Sequence, residues 1–119
     1  MSDTTDTADT VAIVAAFGAA WRAHDLETAL SMITDDCVFE ATGPAPDGTQ
    51  HKGHEEIRQA WKGIFDDTGS RFEVEESFAV ADRVVERWVY SWNGGHIRGV
   101  DLFRVRDGKV AEKFAYVKG

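Results

Sequence analysis

A single carboxylate, Asp101, interrupts an apolar stretch in the last third of the chain and is the residue best suited to chemistry. The stretch 97–106 reads as a β-strand, in which Gly99, Asp101, Phe103 and Val105 share one face. An ionised carboxylate among such neighbours is costly unless it gains a partner. Asp101 is therefore hydrogen-bonded, neutralised, or directed into a cavity where a ligand binds. In the last case it would be a catalytic acid or base.

Aromatic residues recur at spacings that would place them around this carboxylate. The residues that we expect to bind a substrate are Phe17, Trp21, Phe39, Trp61, Trp88, Tyr90 and Phe103. A pocket lined in this way would suit a flat apolar ligand. The alternative is that these side chains form an ordinary core, because periodic apolar residues usually serve packing.

Three other polar residues allow more than one interpretation. Glu86 has the parity of Trp88 and Tyr90, so it points either toward the same pocket or into solvent at a strand end. His51 and His54 lie three residues apart, but no third ligand follows at a diagnostic spacing. We therefore expect no metal and no organic cofactor, with His51 and His54 at or outside the pocket rim.

Composition narrows the range of partners. The chain has 119 residues, enough for one domain, and its net charge of -8 disfavours nucleic acid and anionic membranes. No run of about 18 apolar residues is present, and the first residues lack a signal-peptide pattern. Cys37 is the single cysteine, so an internal disulfide cannot form. These features predict a cytoplasmic protein that binds small molecules.

The first third of the chain has the spacing of helices. Residues 1–8 are polar and predict a disordered tail, which leaves a single domain over 9–119. Apolar residues then repeat at three and four, which predicts a helix capped by Asp9 or Thr10 and ending at His24.

Shorter elements follow this helix. A second helix is expected over 26–33, ended by the pair Asp35 and Asp36, and a short strand over 38–41. Both prolines and two glycines place a loop over 43–48, and a third helix is expected from about 54 to 65.

From residue 71 the apolar period changes to two. Four strands are predicted, over 71–80, 83–92, 97–106 and 109–117. Turn residues at 81–82, 93–95 and 107–108 predict tight hairpins between them. Helices followed by hairpins indicate an α+β fold, in which a curved antiparallel sheet wraps around N-terminal helices.

Several segments together resemble the nuclear transport factor 2-like superfamily, in particular its SnoaL-like polyketide cyclase and ketosteroid isomerase branch. The segments that carry the resemblance are 24–30, 35–40, 52–58, 99–104 and 107–110. The resemblance implies a cone-shaped, cystatin-like fold with an internal apolar pocket, and a homodimer built on the outer face of the sheet.

The resemblance also implies a role for Asp101. In ketosteroid isomerases a carboxylic acid at the matching position donates a hydrogen bond to the substrate oxyanion, and in the cyclases a strand carboxylate acts as the base. The position of the isomerase base corresponds to Ala41. The positions of the tyrosines in its oxyanion network correspond to Phe17, Ile33 and Trp61.

The sequence therefore leads to two hypotheses. In the first, the protein is an enzyme that isomerises, cyclises or dehydrates an apolar cyclic substrate, with Asp101 as general acid or base. In the second, it is a ligand-binding or dimerisation module without turnover, since one fold can host both. In either case we expect a homodimer, because an apolar outer face would otherwise stay uncovered. That face would comprise Val100, Leu102, Phe114 and Tyr116.

Overall fold

Helices pack on one side of a curved, unclosed sheet. The structure is a computed structural model that describes residues 6–118. The elements within this range are α1 (Thr7–Arg22), α2 (Leu26–Ser31), β1 (Ile33–Glu40), β2 (Gln50–Lys52), α3 (Gly53–Asp66), β3 (Arg71–Val80), β4 (Arg83–Trp92), β5 (Gly95–Arg106) and β6 (Lys109–Val117). The six strands form one sheet in the order β2-β1-β6-β5-β4-β3. This arrangement confirms the predicted α+β fold.

The C-terminal half is the predicted meander of hairpins. Strands β3 to β6 pair antiparallel with their neighbours in the chain. In the last turn Asp107 and Gly108 both have positive φ, of 54° and 76°, as a tight two-residue hairpin requires. β5 begins at Gly95 rather than at residue 97, because Asn93 and Gly94 alone make the preceding turn.

The start of α1 differs from the expectation. The side chain of Asp6 accepts a hydrogen bond from the Ala8 N–H at 2.8 Å and caps the helix, so the predicted cap at Asp9 or Thr10 is wrong. Thr10 is buried and donates its hydroxyl to the Ala81 carbonyl oxygen at 2.6 Å, which ties α1 to the β3–β4 turn. The helix therefore includes the end of the predicted tail, whose residues 1–5 lie outside the described residues.

Strand β1 is longer than predicted and displaces the end of the second helix. α2 stops at Ser31, and Ile33 already pairs with Val110 of β6. β1 and β6 run parallel, and this is the one parallel pair that the described residues form. Asp35 and Asp36 do not end an element; they lie exposed where the register of this pair shifts. Pairing with β6 thus outweighs the local preference of two aspartates for a break.

The core lies between the sheet and the helices. Its fully buried members include Phe17 of α1, Trp61 of α3 and Phe103 of β5. The Phe17 ring centroid lies 5.7 Å from that of Trp61 and 5.9 Å from that of Phe103, so these three rings pack together in the core. No helix among residues 6–118 has the length and apolar character needed to cross a membrane.

Candidate functional site

A cavity of about 300 Å³ lies beside this core. Most of its wall is apolar, with polar groups from a few side chains. Its lining residues are Trp21, Phe39, Ala41, Thr42, His51, Ala60, Ile64, Phe72, Trp88, Tyr90, Ile97, Asp101, Lys113 and Ala115. The volume is at the lower end of the roughly 300–1,000 Å³ that is typical of small-molecule sites. Helices α1 and α3 and all six strands contribute residues to this wall. The site therefore depends on most of the fold.

Asp101 projects from the inner face of β5 into the cavity. The strand alternates, with Gly99, Asp101, Phe103 and Val105 buried and their neighbours less so, as period two predicts. The Asp101 residue is 0% exposed, and neither of its carboxylate oxygens accepts a hydrogen bond from a described residue. A buried carboxylate in this state needs a charged partner.

That partner is Lys113 of β6. Its Nζ lies 3.1 Å from Oδ2 of Asp101, so the two groups form an ion pair but not a hydrogen bond. The ammonium also lies 4.7 Å from the ring centroid of Trp21 and 5.2 Å from that of Phe39. The carboxylate and the faces of the rings together compensate the ammonium for its lost hydration.

Glu86 adds a second carboxyl group next to this pair. It lies directly opposite Asp101 in the β4–β5 ladder and is buried, so the interpretation that it points into solvent is wrong. It contributes instead to a separate groove between α1 and strands β3 and β4, together with Arg22. Burial, followed by the negative charge of Asp101, raises the pKa of Glu86 to about 7, while Lys113 and Arg22 act in the opposite direction.

A glycine allows one wall of the cavity to form. Trp88 pairs with Gly99 across β4 and β5. A Cβ atom at Gly99 would lie 2.5 Å from the Trp88 ring and 2.3 Å from the Tyr116 carbonyl oxygen. Both distances are shorter than any ordinary contact, so the absence of a side chain at Gly99 lets the indole pack closely against β5.

The aromatic residues predicted to bind a substrate divide into two groups. Four of them, Trp21, Phe39, Trp88 and Tyr90, line the cavity together with Asp101. The other three, Phe17, Trp61 and Phe103, do not line it and belong to the buried core. Sequence spacing could not separate the groups, because both lie on the inward faces of their elements.

The indole groups of the cavity wall have unused donors. The Nε1–H groups of Trp21 and Trp88 are buried and donate to no described residue. Buried donors normally find acceptors, so these two N–H groups, like the Asp101 carboxylate, lack a hydrogen-bond partner among the described residues.

The two histidines lie in different surroundings. His51 lines the cavity and stacks on Phe39, with 5.8 Å between the ring centroids. His54 lies elsewhere, with its Nε2 3.0 Å from the Leu30 carbonyl oxygen and its Nδ1 3.7 Å from Oδ1 of Asp35. Residues 6–118 contain no group of three or more His, Cys, Asp or Glu residues that could hold a metal ion.

Lys113 is the site residue that sequence reasoning missed. It lies two residues before Ala115, which pairs with Asp101 and faces the cavity. The alternation that places Ala115 on the inner face therefore also places Lys113 there. A lysine at an inward position of a strand was the available signal.

The comparisons with known proteins establish the family. A model described as the SnoaL-like domain matches residues 14–113, and the chain belongs to this family. The match confirms the resemblance to the SnoaL-like branch of the nuclear transport factor 2-like superfamily. A comparison with curated proteins gives no match.

Solved structures share the whole architecture. An NTF2-like protein of unknown function from Mesorhizobium loti is 39% identical, with a TM-score of 0.87 over 95% of this chain and 93% of that one. A computationally designed 17-OHP binder is 26% identical, with a TM-score of 0.79 over 96% and 94% of the two chains. A Mycobacterium tuberculosis protein in complex with estradiol-17β-hemisuccinate is 24% identical, with a TM-score of 0.77 over 93% and 94%.

Proposed function

We propose that the cavity binds an apolar cyclic small molecule and that Asp101 transfers a proton on it, without a metal or an organic cofactor. Isomerisation, cyclisation and dehydration are the reaction types that such a step supports. The observation that carries the proposal is a fully buried carboxylate that accepts no hydrogen bond from the described residues, in the wall of a mostly apolar cavity.

The chemistry of the wall indicates the class of ligand. Trp21, Trp88 and Tyr90 offer flat apolar surface, and the two free indole N–H groups can bind a polar substituent. The estradiol ester bound by the Mycobacterium tuberculosis protein and the design of a 17-OHP binder on this fold support a polycyclic ligand for this chain as well.

A binding experiment and a turnover experiment test the proposal separately. Estradiol is expected to quench the tryptophan fluorescence, because two of the four tryptophans line the cavity. For turnover, 2-tetralone in D₂O is expected to exchange its acidic C–H hydrogens faster with the protein than without it, as followed by NMR. The probe is a flat cyclic ketone, and exchange reports proton abstraction whatever the natural reaction is.

Asp101→Asn is the decisive variant for turnover. It should lose the protein-dependent exchange while retaining the circular dichroism spectrum of the fold, because an amide cannot take up the proton. Asp9→Asn is the matched control, since Asp9 is exposed on α1. Exchange that continues in Asp101→Asn would overturn the assignment of Asp101 as the catalytic group.

A second function, ligand binding without turnover, is favoured by one feature of the wall. Ala41, at the position that corresponds to the isomerase base, lines the cavity and offers no group for acid or base chemistry. Estradiol binding by a protein that shows no exchange with 2-tetralone would favour this function over the first.

We also propose a homodimer built on the outer face of the sheet, in a reducing cytoplasm. Val100, Leu102 and Phe114 are half-buried on that face, and Tyr116 is exposed. A second copy of the chain would remove this apolar surface from water. Sedimentation equilibrium at micromolar concentration tests the proposal, and a monomer would refute it.

A further inference from the structure

Two opposite charges meet in the wall of the cavity, and only one of them has a role in the proposed function. Asp101 and Lys113 both line the cavity, and both side chains are almost completely withdrawn from solvent, at 1% and 7% exposure. For the position of Asp101 the resemblance implies either an acid that donates a hydrogen bond to a substrate oxyanion, as in ketosteroid isomerases, or a base, as in the cyclases. Here the ammonium of Lys113 lies 3.1 Å from the carboxyl group of Asp101, so the group that faces Asp101 is itself a donor, which fits the role of a base better than that of a donor to an oxyanion.

Lys113 can donate a hydrogen bond to the substrate oxygen in place of Asp101. An ammonium has three N–H donors, and Asp101 is the one carboxylate of the described residues within ion-pair distance of Nζ. The faces of Trp21, Phe39 and Phe103 attract its charge but offer no lone pair. The ammonium therefore retains donors for a ligand oxygen, in surroundings of low polarity where such a contact is strong.

We infer that Lys113 holds the oxygen atom of the substrate on which negative charge develops, while Asp101 removes the proton. This inference rests on the proposed function and specifies its substrate class: apolar cyclic ketones, or the corresponding enols, with an acidic C–H beside the carbonyl group. Lys113 is then a catalytic residue together with Asp101.

The step balances in charge as well as in atoms. The C–H bond next to the carbonyl breaks and its proton goes to the Asp101 carboxylate, while the electron pair forms a carbon–carbon double bond and leaves an enolate oxygen. Before the step Lys113 is paired with Asp101, and after it Lys113 is paired with the enolate. The ammonium has an anionic partner throughout, so no unpaired buried charge arises, which would be the costly alternative.

The probe for this arrangement is 2-naphthol, a flat phenol whose ionised form resembles an enolate and has its own absorption and emission. Removing the competing negative charge in Asp101→Asn should increase the ionised fraction of the bound probe above that with the wild type. Lys113→Met should decrease it below the wild type and weaken binding by about 10-fold or more, which is typical for loss of a hydrogen bond to a charged group. Binding of naphthalene, which has no oxygen, should not weaken.

Two further variants serve as a control and as a replacement if Lys113→Met does not fold. Lys109→Met removes an exposed lysine from the same strand and should behave as the wild type. If Lys113→Met alone fails to fold, the double variant Asp101→Asn/Lys113→Met is used instead, because it removes both charges of the buried pair. Its reference is then Asp101→Asn. The double variant should lose the ionised signal that the single variant shows.

The outcomes separate this inference from the function on which it rests. An equal ionised fraction in Asp101→Asn and in the double variant would overturn the role of Lys113. The proposed function would still stand if Asp101→Asn had lost the exchange of 2-tetralone. A wild-type protein that binds neither 2-naphthol nor estradiol would overturn both.

Discussion

Two of the ion pairs formed by strand β5 have nearly equal lengths and lie on opposite faces of the strand, but their surroundings differ. On the inner face Lys113 Nζ lies 3.1 Å from Oδ2 of Asp101, and on the outer face Nε of Arg98 lies 3.0 Å from Oε1 of Glu75. Arg98 also binds the second oxygen of Glu75, at 3.2 Å, so the outer pair has the better hydrogen-bond geometry. The outer side chains are 45% and 34% exposed, against 7% and 1% for the inner ones.

The difference shows that surroundings, rather than distance, decide what an ion pair does. Water screens the outer pair, so its removal changes little. The inner charges have lost their hydration and depend on each other, so each of them is costly without the other. This dependence is also what makes them useful, because a ligand that enters the cavity competes for both charges.

The largest expected effect is on the inner pair. Lys113→Met should lower the free energy of unfolding by about 3–5 kcal/mol, because it leaves Asp101 buried without a counter-charge. The double variant Asp101→Leu/Lys113→Met should recover most of this loss, since apolar residues can replace a buried pair. Urea unfolding of both variants measures the effect. A single variant as stable as the wild type would show that the pair is hydrated in solution.

A smaller effect is expected from Glu86, as a dependence of stability on pH. Its pKa of about 7 in the folded protein lies above the ordinary 4.5, so the folded state binds more protons than the unfolded state between these values. The contribution of Glu86 to stability is therefore fully present below about pH 4.5 and is lost as the pH rises toward 7. The full difference is on the order of 3 kcal/mol.

Glu86→Gln tests this expectation. Its urea midpoint should lose much of the decline that the wild type shows between about pH 5 and pH 7. The charges that face Glu86 are Asp101, Lys113 and Arg22, and all three stay in place in this variant. Glu73→Gln, on the exposed side of β3, is the control and should follow the wild type. Parallel curves for Glu86→Gln and the wild type would contradict the raised pKa.

The smallest effect is expected on the outer pair. Arg98→Gln should leave the urea midpoint within experimental error at about 0.15 M salt, since water and ions already screen this contact. A slight decrease at low ionic strength is the most that we expect. A loss as large as that of Lys113→Met would refute the comparison between the two faces of β5.

Local patterns in the sequence determined much of this protein. The hairpins follow from turn residues, and the inward direction of Asp101 follows from the period of two along its strand. Both depend on residues that are close in the chain, where backbone sterics and alternation leave few choices. The family resemblance then supplied the order of the elements around these local features.

Long-range pairing decided the rest. β1 exists in its full length because Ile33 pairs with Val110, far away in the chain. Trp21 and Trp88 line the cavity whereas Phe17 and Trp61 belong to the core, although all four lie on inward faces, because the packing of helices on the sheet sets where the empty space remains.

The partner of Asp101 depends on both kinds of information. The alternation of β6 already directs Lys113 inward, but its distance from Asp101 is set by the register between β5 and β6, in which Asp101 pairs with Ala115. A shift of that register by one residue would turn Lys113 to the opposite face. The sequence by itself thus determined that a carboxylate lies inside, and the tertiary structure decided that an ammonium meets it there, because only the assembled sheet fixes distances between separate strands.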